Sequence, residues 1–317
     1  MAEKNAKNFR NELAKYGVFY TPKIISEKMK TYIPFKVEEV YDPTVGSGEL
    51  LTVFDDDVKK YGQELFPEEL DKAKEKLKNF EGYAGDTLTD DKFKDKQFQV
   101  VFSNPPYSVA WEPFMDERFE ECGVLAPKSK ADFAFLLHGI HHLKDDGIGL
   151  FLMFPGTAYR GNSEGKIRKW LVEKNYIERV VYIPNNKNFV DTNVSLILYV
   201  INKKKTTTDI IFEDLGLELS ETVSIEKVAA ENYCLSVSTY VEKPDTREPV
   251  DIDAVNKQAR EECLKRLRAN LELENLLIIF TNDREAYNQL CMDVIKMGTE
   301  YLAKPSPCIM LGSDPNG

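Results

Sequence analysis

The chain has 317 residues, 42% apolar and 30% charged, an ordinary composition for a soluble protein of one large domain or two modest ones. No apolar run approaches a membrane span, and the polar opening MAEKNAKNFRNELAKYG lacks the apolar core of a signal peptide. Five cysteines with no CxxC pair fit a reducing cytosol and offer no zinc framework. The net charge of −11 argues against a chain that grips nucleic acid unaided. Either nucleic acid is not the substrate, or a partner does most of the gripping.

Residues 1–15 read as a polar, helix-prone lead, GVFYTP (17–22) as a turn and IISEKMKTYI (24–33) as a helix. From residue 37 a period of about twenty residues sets in. VEEVYD (37–42) reads as a strand ending in Asp, and TVGSGELLTVF (44–54) as a Gly-rich turn opening a helix. KKYGQE (59–64) is a second strand ending in an acid, PEELDKAKEKLKNF (67–80) a helix with Pro in its first turn, and EGYAGD (81–86) a third acid-ended strand. FQVVFS (98–103) is a fourth strand. DFAFLLHGIHHLKDD (132–146) reads as an amphipathic helix, GIGLFLMF (147–154) as a buried strand, NSEGKIRKWLVEKN (162–175) as a helix and IERVVYI (177–183) as a strand. NVSLILYVINKKK (193–205) reads as the last strand. Strands alternating with helices predict an α/β, doubly wound sheet.

EKPDTREPVD (242–251), with two prolines and many charges, reads as a linker. Beyond it Ile252, Val255, Ala259, Leu264, Leu267 and Leu271 predict one amphipathic helix, suited to a partner or to its own domain. The closing SPCIMLGSDPNG has no period. The predicted organisation is a catalytic domain over 1–245 and a linker with a helical tail over 246–317.

In an open α/β sheet, ligands sit beyond the carboxyl ends of the strands. Asp42 followed by Gly46 and Gly48 lets a backbone turn approach a ligand at a helix start. No Lys stands in that loop, so it is not a Walker phosphate loop, and an acid there suits a cationic or amino-bearing ligand. Glu64, twenty-two residues after Asp42, has the spacing of an acid that accepts from ribose hydroxyls. A ribose site without a phosphate site points to S-adenosylmethionine rather than NAD. Asp86 suits an adenine amino group, or simply caps the next segment.

The fourth strand ends in SNPPY. Proline rigidity makes it a stiff turn, and also a platform of acceptors, because Pro has no N–H. The side-chain carbonyl of Asn104 and the main-chain carbonyl of Pro105 can accept both N–H bonds of a planar amine. That frees a lone pair otherwise delocalised into a ring. Pro106 stiffens the loop, and Tyr107 can stack on the base.

These motifs, in this order, resemble the N6-adenine DNA methyltransferases, and look most like the methylation subunit of type I restriction–modification systems. GVFYTP, DPTVGSGELL, YGQE, GDTL and SNPPYS match that family's motifs, as does DFAFLLHGIHHLKDDGIGLFLMFP after them, over roughly residues 15–245. The resemblance implies a Rossmann-like S-adenosylmethionine-dependent methyltransferase fold with a mixed, mostly parallel sheet. It implies methyl transfer from S-adenosylmethionine to adenine N6 in DNA. Tyr20, Thr21 and Pro22 would lie near the methionine moiety, Asp42, Gly46 and Gly48 would form the cofactor loop, and Glu64 and Asp86 would hold ribose and adenine. Asn104, Pro105, Pro106 and Tyr107 would hold a flipped adenine, with Phe189 as a second stacking aromatic.

The implied partners are DNA, a specificity subunit that reads it and a restriction subunit, in a cytoplasmic hetero-oligomer with no membrane contact. A reader on another chain would let this one stay acidic. The family usually carries a long helical region before GVFYTP and this sequence has almost none, so that region's contacts to DNA or a partner would be missing or supplied by another chain. Glu49 stands where the family often has a small residue. The basic clusters Lys128 with Lys130, and Arg160 with Lys166, Arg168 and Lys169, are candidate phosphate contacts, though each alone reads as a solvated face. His138, His141 and His142 have metal-capable helical spacing, but no acid or Cys motif accompanies them, so no metal is expected. Two other functions use the same residues: a protein glutamine-amide methyltransferase, and a non-catalytic subunit that binds cofactor or scaffolds DNA.

Overall fold

The computed structural model describes residues 21–185, 195–243, 251–281 and 283–302. Among the described residues nine strands form one sheet: β1 (Glu39–Asp42), β2 (Lys59–Glu64), β3 (Phe80–Ala84), β4 (Phe98–Ser103), β5 (Leu143–Met153), β6 (Ile177–Ile183), β7 (Leu196–Asn202), β8 (Ile210–Asp214) and β9 (Leu219–Val223). Their order is β3-β2-β1-β4-β5-β7-β6-β8-β9. β1 runs parallel to β2 and β4, and β4 parallel to β5, whereas β7 lies antiparallel between β5 and β6. The chain winds from β1 outward to β3, then restarts on the other side of β1 with β4. That reversal opens a crevice at the carboxyl ends of β1 and β4.

Alternation along the strands covers both faces. Val40 belongs to one core with Ile25, Met29 and Leu70, and its neighbour Tyr41 to the other with Phe133, Leu137 and Ile167. The first core is closed by α1 (Lys23–Lys30) and α2 (Pro67–Lys76), the second by α4 (Asp132–His141), α5 (Asn162–Glu173) and α6 (Ile225–Ala230); the short α3 spans Glu117–Glu120. α4 is buried nearly all round, as its unbroken apolar text requires. Burying one Leu, Ile or Phe contributes about 1.5–3 kcal/mol, against about 0–1 kcal/mol for an exposed ion pair. The two cores, not the surface pairs, therefore fix where the strands end.

Several elements differ from expectation. The glycine loop opens only a five-residue 3-10 turn, Glu49–Val53. α2 stops at Lys76, and α4 stops at His141, because Leu143 already pairs with Phe98 and starts β5. Leu196–Asn202 is not the last strand: β8 and β9 follow as an antiparallel pair at the sheet edge. β9 exposes Ser220, Glu221 and Thr222, and β8 offers only the short apolar run Ile210–Phe212, so the pair carries a weak strand signal.

The chain divides into two compact units at Pro244 and Asp245. The second holds α7 (Ile252–Thr281) and α8 (Arg284–Leu302), two helices where the sequence predicted one. Ile252, Val255, Leu264 and Leu267 are exposed, and Leu271 is half-buried. Most of the predicted linker, and the closing SPCIMLGSDPNG, lie outside the described residues. Among the described residues no helix is long and apolar enough to cross a membrane.

Candidate active site

Asp42 closes β1 and is 1% exposed. Its Oδ1 accepts from the Thr44 amide at 3.0 Å, and the Thr44 hydroxyl lies 3.3 Å from that of Ser103. Burial pushes the Asp42 carboxyl up to about 7, partly opposed by hydrogen bonds from Thr44 and Ser103, while Glu64 pushes it further up. Gly46 follows at φ +54°, in the left-handed region, and a Cβ there would point into open space. Gly48, at φ +79°, is closely packed: a Cβ would come within 2.9 Å of Leu77. Glu49 is absorbed by an ion pair with Lys76 at 2.5 Å.

Glu64 closes β2 next door. Its Oε2 accepts from the Gly46 amide at 2.9 Å and its Oε1 from the Phe66 amide at 3.0 Å. Burial raises this carboxyl too, against those amide bonds. The acid therefore braces the glycine loop and still has acceptor capacity for a ligand. Asp86 follows β3 and caps its own turn: Oδ1 accepts from the Leu88 amide at 3.0 Å and Oδ2 from the Thr89 hydroxyl at 3.0 Å. The Thr87 hydroxyl donates to the carbonyl of Pro43, tying this turn to the glycine loop.

Asn104 follows β4. Its Nδ2 donates to the Thr21 hydroxyl at 2.8 Å, which turns the side-chain carbonyl the other way. That carbonyl accepts from the Tyr107 hydroxyl. Pro105 is buried, and Pro106 and Tyr107 are half-buried. Pro22 caps the start of α1 and sets Thr21 in place. The Ser108 amide donates to Asp132 Oδ2 at 3.2 Å, anchoring the far side of the loop on α4. Thr21, Asp42, Gly46, Glu64, Asp86, Asn104 and Pro106 line one cavity of about 380 Å³, a size typical of small-molecule sites. Tyr20 and Phe189 lie outside the described residues.

The sequence reading missed several groups. Ser103 and Asp132 support the loop ends, and Trp111 and Phe135 add aromatic wall. An acid before the apolar run FAFLL is the one local signal that Asp132 gives. The histidines do have an acid beside them, Asp91, fifty residues upstream. His142 Nε2 lies 2.9 Å from Asp91 and its Nδ1 2.7 Å from the Lys96 carbonyl, while Arg118 donates to His138 Nδ1 at 3.2 Å. Burial alone would raise Asp91, but the hydrogen bond from His142 and the electrostatic attraction of the neighbouring imidazoles outweigh it, holding the carboxyl well below its usual range. The ring nitrogens that face this acid are thus engaged in hydrogen bonds.

The candidate phosphate contacts are mostly paired. Arg168 is buried and donates to the Tyr233 and Thr157 carbonyls at 3.0 and 2.9 Å, which corrects its reading as a surface contact. Arg160 pairs with Glu164 at 3.2 Å, Lys169 with Glu173 at 3.7 Å and Lys128 with Glu112 at 2.7 Å.

Sheet order and strand-end cavity together define a Rossmann-like methyltransferase fold with its site at the topological switch point. Residues 3–219 match the family described as N-6 DNA Methylase, and the chain belongs to that family. The type I restriction enzyme MpnII methylase subunit of Mycoplasma pneumoniae is 30% identical over 333 residues, covering 84% of this chain and 61% of that protein. The HindI methylase subunit of Haemophilus influenzae is 29% identical over 220 residues, covering 62% and 49%. The crystal structure of a type I restriction-modification methyltransferase subunit from Streptococcus thermophilus superposes with a TM-score of 0.65 at 30% identity, covering 71% of this chain and 59% of that one. The chain spans between 38% and 61% of the length of the first curated relatives. The family supports a DNA acceptor and lends none to a glutamine amide.

Proposed function

We propose that the chain transfers a methyl group from S-adenosylmethionine to adenine N6 in DNA, as the modification subunit of a type I restriction–modification system. The observation that carries this is one cavity shared by Asn104 of the NPPY loop and by the acids Asp42 and Glu64. The residues fit the cofactor. Gly46 leaves open space where a side chain would stand, the two buried acids suit cationic and hydroxyl groups, and no Lys stands in the loop.

In this reading Asp42, Gly46 and Gly48 shape the cofactor loop, Glu64 holds the ribose, and Asp86 meets the adenine ring. Tyr20, Thr21 and Pro22 flank the methionine end. When bound, S-adenosylmethionine supplies a methyl carbon made electrophilic by its sulfonium. Asn104 and Pro105 accept the two N–H bonds of the target amine and free its lone pair, with Thr21 fixing the amide of Asn104. Pro106 keeps the loop stiff, and Tyr107 and Phe189 hold the ring. Held in this way, N6 would take the methyl carbon while the sulfonium sulfur keeps the bonding pair, and the extra proton on N6 would pass to water. Positioning and fixed dipoles supply the rate. The transferase spans 1–245, works in the cytoplasm and leaves sequence reading to a specificity subunit, with a restriction subunit in the same assembly.

The test is transfer of labelled methyl to unmethylated genomic DNA, with the neighbouring candidate specificity subunit added. Wild type should yield N6-methyladenine. Asn104→Ala should lose about 100-fold or more of the rate while still binding cofactor. Equal transfer by the variant, or no DNA label despite bound cofactor, rejects this reading.

A further inference from the structure

Arg118 lies outside every motif, yet it is among the most fully engaged side chains of the first unit. It is 9% exposed. Its Nε donates to Asp116 at 3.0 Å, and its Nη2 donates to Asp116 at 2.5 Å and to the Leu88 carbonyl at 2.6 Å. Its Nη1 donates to the Thr87 carbonyl at 3.0 Å and to His138 Nδ1 at 3.2 Å. All five N–H donors of the guanidinium are used.

Two consequences follow from donor chemistry. Arginine cannot accept, so His138 Nδ1 must, and the ring proton sits on Nε2. That N–H faces the Tyr41 hydroxyl at 3.1 Å, and Tyr41 is the residue before Asp42. Burial pushes the His138 pKa well down, in keeping with a neutral ring. The guanidinium also fixes two consecutive main-chain carbonyls, those of Thr87 and Leu88. Both residues line the cavity, and they directly follow Asp86. One buried cation thus ties the Asp86 turn to α4 and, through α4, to the end of β1.

We propose that Arg118 is a positioning residue for the purine side of the cofactor site, holding the Thr87–Leu88 main chain so that Asp86 meets the adenine amino group. The proposal rests on reading the cavity as an S-adenosylmethionine site. Lysine has the charge but not the planar fork, and cannot bridge two carbonyls, a carboxylate and an imidazole at once. The side chain of Asp116 is 29% exposed and holds the guanidinium from the outer side. Asp116 also caps α3, a role that Asn fills equally well. Asp116→Asn therefore loosens the fork without emptying a buried position.

The experiment measures binding of S-adenosylhomocysteine and its hypoxanthine analogue, S-inosylhomocysteine, to the full chain, with thermal unfolding as the check on folding. Wild type should prefer the adenine ligand. Arg118→Lys should weaken that ligand about tenfold and the analogue far less, collapsing the preference. Asp116→Asn should move the ratio the same way by about threefold. A folded Arg118→Lys chain that keeps the wild-type ratio overturns the proposal, as does proportional loss of both ligands. Where Arg118→Lys does not fold, an unchanged ratio in Asp116→Asn overturns it. Wild type that binds neither ligand overturns the cofactor reading itself, and this proposal with it.

Discussion

The same strands end in two different hollows. At the carboxyl ends of β1, β2 and β4, a cavity of about 380 Å³ holds buried acids, a glycine turn with open space beside it, and an amide with both ends engaged. At the amino ends, a hollow of about 760 Å³ is lined by Lys36, Lys59 and Lys144 with Glu38, Glu39 and Asp57. The second is larger, but its charges face water and one another; Lys144 pairs with Glu39 at 2.5 Å. Size therefore does not mark the site. What marks it is polar groups kept dry at a cost in desolvation, because such groups interact strongly with whatever ligand matches them.

The sharpest way to break that contrast is Glu64→Ala. It removes an acceptor for a ribose and strands the amides of Gly46 and Phe66. Cofactor affinity should fall about 10–100-fold, since a hydrogen bond to a charged group is worth about 1.5–3 kcal/mol. Calorimetry checks it, and unchanged binding would mean that Glu64 only braces the loop. The next effect is in pH. Burial raises the Asp42 carboxyl to about 7, so below that it carries a proton and loses its attraction for a cation. Affinity for S-adenosylmethionine should thus decline as pH falls below about 7, approaching tenfold per pH unit, and be constant well above it. Burial raises the Glu64 carboxyl in the same direction. Asp42→Asn should flatten the profile, and a binding curve that strengthens with acid would refute the assignment.

How much of this was legible follows the range of the interactions. β4 and β6 begin and end where their apolar runs do, and the mostly polar β2 spans the KKYGQE segment between its flanking turns. The strand-end acids, Gly46, Gly48 and the NPPY loop are local chemistry at a fixed spacing, and all but Tyr20 and Phe189 fall within the described residues. Arg118, by contrast, stands in the polar run DERFEEC, where nothing local separates it from a solvated Arg. Apart from Asp116 beside it, its partners are about thirty residues upstream and twenty downstream. Asp91 and Asp132 escaped for the same reason. β8 and β9 escaped because an edge pair half-facing water carries a weak pattern. The hydroxyl of Tyr107 on Asn104 was also invisible, and it bears directly on the proposed reaction.

That contact sets a smaller prediction. In the proposed reaction the Asn104 carbonyl accepts from the target amine, and here it accepts from the Tyr107 hydroxyl. Tyr107→Phe keeps the ring and removes only the hydroxyl bond to that carbonyl, so turnover should stay within about threefold of wild type. Tyr107→Ala should lose the stacking surface and about 1–3 kcal/mol of DNA affinity. A large loss in the Phe variant would make the hydroxyl itself part of the chemistry.

The smallest expected effect tests the other end of the sheet. Lys144→Ala cuts the ion pair with Glu39, whose side chains are 47% and 17% exposed. Water and salt already screen such a pair, so stability should change by less than about 1 kcal/mol. Cofactor binding and transfer should not change, because β1 and β4 are held along their length by Val40, Val100 and Phe102 in one core and by Tyr41 and Val101 in the other. Unfolding in denaturant and the methyl-transfer assay read the two quantities separately. If Lys144→Ala left stability intact but slowed transfer, the amino-end hollow would have to act on the reaction, and burial would no longer separate a site from a mere recess.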